Sequence, residues 1–180
     1  MKLLLLLGFF MSLTFFSFAQ SKSDSLTHKT EQQTETPVQG GNNELKINAL
    51  FIALGLPEIT YERILSNNRG LGVALVIGTN NEYRIKYAIN PFYRWYFGQK
   101  KANGFFLEGN MNALYQKEST YDDDKGGLNF SGGIAGGAKF FSRNGIFAEA
   151  YLGYNRTLGG ARLLGSTYPR MGLTIGKRFH

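Results

Sequence analysis

From Glu44 to the end of the chain, apolar and polar residues alternate with a period of two. In Leu45-Lys46-Ile47-Asn48-Ala49-Leu50-Phe51-Ile52-Ala53 every odd position is apolar, while Lys46 and Asn48 fall on the other face. That pattern predicts a half-buried strand over 45–53, ended by the turn signal Gly55-Leu56-Pro57. The same rule predicts further strands at 58–65, 71–78, 83–97, 105–117, 128–141, 146–157 and 167–179. The 83–97 segment is the clearest. Its odd positions are Tyr83, Ile85, Tyr87, Ile89, Pro91, Tyr93, Trp95 and Phe97, whereas Arg84, Lys86 and Arg94 share the even face. Pro91 has no N–H to give a ladder, so a bulge is expected there.

The connections sort by character. Segments 66–70, 98–104 and 142–145 are short and rich in Asn, Gly, Ser and Lys, while 118–127 and 158–166 are longer. Short turns at one end and long loops at the other describe an up-and-down membrane barrel, whose periplasmic turns are short. The expected fold is all-β, a closed antiparallel up-and-down transmembrane β-barrel of about eight strands. An even count returns both ends of the barrel to the periplasm and leaves no open edge.

The N-terminus sets the compartment. Lys2 is followed by an apolar run from Leu3 to Phe16 and by Ser17-Phe18-Ala19, a small-x-small cleavage pattern, so residues 1–19 read as a secretory signal peptide. Residues 20–43 are polar, with almost no large apolar side chain, and cannot offset the entropy of ordering. They read as a disordered periplasmic leader, and residues 44–180 as the barrel domain. No later apolar run reaches spanning length, but a barrel hides its lipid face in every second residue.

Composition narrows the reading further. With no cysteine, disulfides, thiolate metal sites and a lipidated N-terminal cysteine are excluded. The net charge is +7, or 7 − 1 = +6 once Lys2 is removed. In a secreted chain this basic balance does not point to nucleic acid. Gly 23 and aromatic 14% suit many short strands with tight turns and aromatic belts.

In a membrane barrel the apolar face points outward and the charged face inward. Under this topology Trp95, Phe97, Phe105, Phe140 and Phe179 form a periplasmic aromatic girdle, and Tyr61, Tyr83, Tyr115 and Tyr154 lie nearer the external rim. Pairing Phe97 with Phe105 sets Arg94 opposite Glu108, and pairing Phe141 with Phe147 sets Lys139 opposite Glu149. With Glu62, Arg84, Arg170 and Arg178 these form a predicted interior charge network, because an eight-stranded barrel is just wide enough for side chains to fill and buried charges need partners. Glycines crowd the sixth strand as Gly132, Gly133, Gly136 and Gly137, where a small barrel needs bends and close approach.

The C-terminal alternation of Met171, Leu173, Ile175 and Phe179 and strands such as Ile59-Thr60-Tyr61-Glu62-Arg63 resemble the small outer-membrane barrels typified by outer membrane protein X and the transmembrane domain of outer membrane protein A. The resemblance, which extends to function-unassigned outer-membrane barrel families, covers Glu44 to His180. It implies outer-membrane lipid as the surroundings and the barrel-assembly machinery as a partner during insertion. His180 follows the terminal aromatic and Lys177 takes an outward position, from which it can snorkel to the rim.

Candidate chemistry is sparse. The histidines are His28 in the leader and His180 at the end, so no Ser-His-Asp arrangement can be built within the barrel. Asp122-Asp123-Asp124 lacks the alternation of a calcium loop, and Gly159-Gly160-Ala161-Arg162 lacks the Lys-Ser/Thr of a phosphate loop. The sequence therefore predicts no catalytic, metal or cofactor site. It predicts an integral outer-membrane barrel with a structural or surface-interaction role, offering loops 118–127 and 158–166 to surface partners. A narrow channel for small solutes and a soluble periplasmic ligand-binding barrel are the alternatives.

Overall fold

Strict alternation leaves each strand with one apolar and one polar face, and closing the sheet on itself gives all eight the same inside and outside. A computed structural model of the protein describes residues 41–79, 85–117, 126–142, 144–160 and 167–180. The strands are β1 (Asn43–Asn48), β2 (Glu58–Ser66), β3 (Arg69–Ile77), β4 (Ile85–Tyr96), β5 (Gly104–Lys117), β6 (Gly126–Phe141), β7 (Ile146–Gly160) and β8 (Thr167–Phe179). They form a closed barrel in sequence order, every pair antiparallel, with β1 closing onto β8. The short connections 67–68, 97–103 and 142–145 lie at the end where β1 begins and β8 finishes, called here the terminal end. Residues 1–19 and 20–40, for which the sequence predicts a signal and a leader, together with Tyr83, Arg84 and residues 118–125 and 161–166, lie outside the described residues.

Three expectations are corrected. The strand predicted over 45–53 stops at Asn48, and Ala49–Ala53 is a short helix, α1. Asn48 caps it by accepting a hydrogen bond from the Phe51 N–H, and Gly55, at φ 72°, turns the chain back toward β2. The odd apolar residues of 49–53 suit either period over so short a run. Second, Asn43 belongs to the barrel and not to the leader: it pairs with Arg63 on β2 and Phe179 on β8, and its side chain accepts from the Tyr61 hydroxyl at 2.7 Å.

Third, no bulge forms at Pro91. It pairs with Val73 on β3, and the β4–β5 register is the same on either side of it, Ile89 facing Ala113 and Phe92 facing Asn110. The irregularity of that ladder lies instead between Ile85 and Tyr87.

Interior glycines have a specific use. Gly72, Gly137, Gly172 and Gly176 stand directly across from Phe92, Phe106, Tyr151 and Phe147. A Cβ added at Gly172 would lie 2.4 Å from the Tyr151 ring, and one at Gly176 would lie 2.5 Å from the Phe147 ring. Each missing side chain makes room for a large ring to lie across the lumen. Small and large residues facing each other in this way let a narrow barrel fill without voids.

Candidate functional site: the interior charge network

The lumen of the terminal half holds a continuous ion-pair network. Arg94 donates from Nε to Glu108 at 2.8 Å and from Nη1 to Glu149 at 2.9 Å and Glu62 at 3.2 Å. Lys46 donates to Glu62 and to Glu149, the latter at 3.1 Å. Lys139 donates to Glu44 at 2.6 Å and to the Tyr96 oxygen at 2.6 Å, and the Tyr96 hydroxyl donates in turn to Glu62 at 2.6 Å. Arg170 reaches the other oxygen of Glu108 at 2.6 Å, and Arg178 grips Glu44 through Nε and Nη2 at 2.9 and 2.6 Å. All these charged groups are buried.

Such a cluster is tolerable only because each carboxylate meets more than one donor and Lys46, Arg94, Lys139 and Arg178 each meet more than one acceptor. Aromatic faces add to it. The Arg94 guanidinium lies 4.2 Å from the Phe106 ring centroid and 4.6 Å from that of Phe92, and Lys139 Nζ lies 4.6 Å from that of Tyr96. The rings seated over the interior glycines are therefore also the walls of the ion network.

The lumen is obstructed at two further levels. At the terminal end the 97–103 turn folds inward: Ala102, at φ 42°, is fully buried against Ile64 and Tyr96, and Arg178 donates to its carbonyl at 3.2 Å. Toward the other end, Leu56, Val76, Ala88 and Leu114 form an apolar cluster with Phe51 of α1 and Ile85 packed on it. Between that cluster and the ions lies a neutral polar tier. There the Tyr168 oxygen accepts from Asn112 at 3.0 Å and Asn155 at 3.2 Å and shares a hydrogen bond with Ser131.

Of the residues predicted for the interior, Glu62, Arg94, Glu108, Lys139, Glu149, Arg170 and Arg178 are brought into this one network. Both cross-strand registers, Arg94 with Glu108 and Lys139 with Glu149, are as expected. The contacts differ for the second pair: Lys139 and Glu149 stand 3.6 Å apart, while the hydrogen bonds of Lys139 go to Glu44 and Tyr96, both at 2.6 Å, and to Glu62 at 3.4 Å. Glu44, Lys46, Glu58, Tyr96 and Tyr151 were not predicted as members. Glu58 accepts from Asn48 and from Tyr151, both at 3.1 Å. Their parity is the signal that could have found them, since each lies an even number of residues from a predicted member of the same strand or its neighbour in register.

On the outer wall Trp95, Phe97, Phe105, Phe140 and Phe179 are all exposed and lie toward the terminal end. Tyr115 and Tyr154 are exposed toward the opposite end, as is Tyr87, which pairs with Tyr115. Tyr61 departs from its expected place: its hydroxyl reaches Asn43, the first residue of β1, so it points toward the terminal end.

Comparison of this chain with protein-family models, with curated proteins and with solved structures finds no match to any of them.

Proposed function

We propose that the chain is an integral outer-membrane β-barrel with a structural or surface-interaction role. One observation carries this reading: the barrel is inside out relative to a soluble protein. Its outer wall exposes Leu45, Ile47, Leu71, Leu75, Ile89, Met111, Ile134, Leu152, Leu173 and Ile175, while the acidic side chains among the described residues and the cations Lys46, Arg94, Lys139, Arg170 and Arg178 are buried in the lumen. In water such a wall would be an apolar patch encircling the molecule, far beyond what a monomer carries. In a bilayer it is the face that lipid requires. The secretory signal read from residues 1–19 and the resemblance to small outer-membrane barrels support the same compartment.

The filled lumen favours a rigid anchor over the channel alternative, and the apolar wall argues against a soluble periplasmic barrel. The test is fractionation of cell envelopes. Recovery in the outer-membrane fraction, resistant to alkaline carbonate and released by detergent, supports the proposal. Recovery with the soluble periplasmic proteins overturns it. In planar bilayers the purified chain is expected to stay silent across salt and voltage, and steady single-channel steps would return the channel reading.

A further inference from the structure

Charge is sorted by place in this barrel. Among the described residues the acidic side chains are Glu44, Glu58, Glu62, Glu108 and Glu149, and all of them are buried in the lumen. The exposed charged side chains Arg63, Arg69, Lys100, Arg156 and Lys177 are all basic. Four of these lie at the terminal end. Arg63 pairs with Asn43 at the start of β1, and Lys177 faces outward two residues before Phe179. Arg69 opens β3, and Lys100 sits in the 97–103 turn.

The surroundings of these cations are those of an interface and not of a solvated surface. Lys177 has Leu45 and Ile146 as its ladder partners, so its stem runs over apolar wall and its ammonium must reach outward. The Arg69 guanidinium lies 5.7 Å from the ring centroid of Trp95, an exposed girdle residue. Arg63 donates to Asn43, which also receives the Tyr61 hydroxyl. Cations are thus interleaved with the aromatic girdle, on a wall where no acidic side chain among the described residues is available to neutralise them.

From this we infer that the outer rim of the terminal end, centred on Arg63 and Lys177 on either side of β1, binds the phosphate of anionic phospholipid head groups. The inference rests on the membrane reading above. A phosphate diester offers anionic acceptor oxygens to an outward ammonium and to a guanidinium whose acceptor here is the neutral Asn43 amide oxygen, and it lies at the height where the girdle meets the head groups. Arg156, near the opposite end, serves as an internal control.

The test uses the full chain refolded into phosphatidylcholine vesicles doped with spin-labelled phosphatidylglycerol or spin-labelled phosphatidylcholine. The relative association of the two labels with the protein is read by electron paramagnetic resonance. A several-fold preference for phosphatidylglycerol is expected. It should fall toward unity in the Arg63→Gln/Lys177→Gln variant and persist in Arg156→Gln. Equal association of both lipids with the natural chain, or an undiminished preference in the double variant, overturns the inference. Loss of the preference on adding inorganic phosphate too dilute to change ionic strength would assign the rim to free phosphate and overturn the lipid source. A chain that does not enter phosphatidylcholine vesicles at all defeats the membrane reading itself, whereas insertion without lipid preference defeats this inference alone.

Discussion

The guanidinium of Arg94 on β4 meets the carboxylate of Glu149 on β7 at 2.9 and 3.0 Å, although these strands are not neighbours in the barrel. The contact crosses the lumen. The same guanidinium binds Glu62 on β2 and Glu108 on β5, so one side chain ties four strands together. Arg94→Leu would take a donor from three buried carboxylates at once. A loss of about 3–5 kcal/mol is expected, as for removing one partner from a buried ion pair. Urea unfolding in lipid vesicles checks it, with Arg94→Lys restoring only part, because an ammonium cannot reproduce the forked contacts.

The distances around Lys139 rank its partners. Double-mutant cycles should show stronger coupling for Lys139 with Glu44, at 2.6 Å, than for Lys139 with its ladder partner Glu149, at 3.6 Å. Equal couplings, or a stronger one to Glu149, would show that register and not side-chain reach decides the pairing.

How far this was legible in the sequence differs between strand faces and strand ends. Alternation in 83–97 revealed which face carries Arg94, and aromatic pairing at the turns found both ladder registers, because a one-residue slip would move every side chain to the wrong side. Contacts across the lumen were not legible. Whether Lys139 meets Glu149 or Glu44 depends on barrel closure, which brings β1 and β6 face to face without any local pattern in the chain. The helix at Ala49–Ala53 is not legible either, because its cap at Asn48 is a single side chain beside an apolar run that fits both periods. Pro91 leaves no mark on register, because the ladder to β5 resumes on either side of it.

The outer wall predicts a depth profile. Met111 is exposed on β5 midway between the ends, while Leu107 is one outward position from the girdle residue Phe105. Met111→Arg should cost about 2–4 kcal/mol and Leu107→Arg less, since arginine near the interface costs only about 0–1 kcal/mol. Equal and negligible costs from equilibrium unfolding in vesicles would mean that this wall does not face lipid.

The glycines separate into two groups by what a side chain would meet. Gly172→Val should destabilise by about 1–3 kcal/mol, the usual range for overpacking, because its Cβ would lie 2.4 Å from the Tyr151 ring. Gly109 has nothing within 4 Å of an added Cβ, so Gly109→Ala should be neutral or stabilising by up to about 1 kcal/mol. Unfolding midpoints of the two variants measured side by side check the contrast.

The central claim is that the apolar outer wall lies in lipid, and Trp95 reports on it without any engineering. It is the single tryptophan of the chain, and it is 49% exposed on the outer face of β4. The measurement is Trp95 fluorescence of the refolded chain in phosphatidylcholine vesicles, with lipids brominated along the acyl chain as one quencher and aqueous acrylamide as the other. Blue-shifted emission, quenched by the brominated lipid and little affected by acrylamide, is the result predicted. Red-shifted emission that acrylamide quenches and brominated lipid does not would place this wall in water and contradict the account.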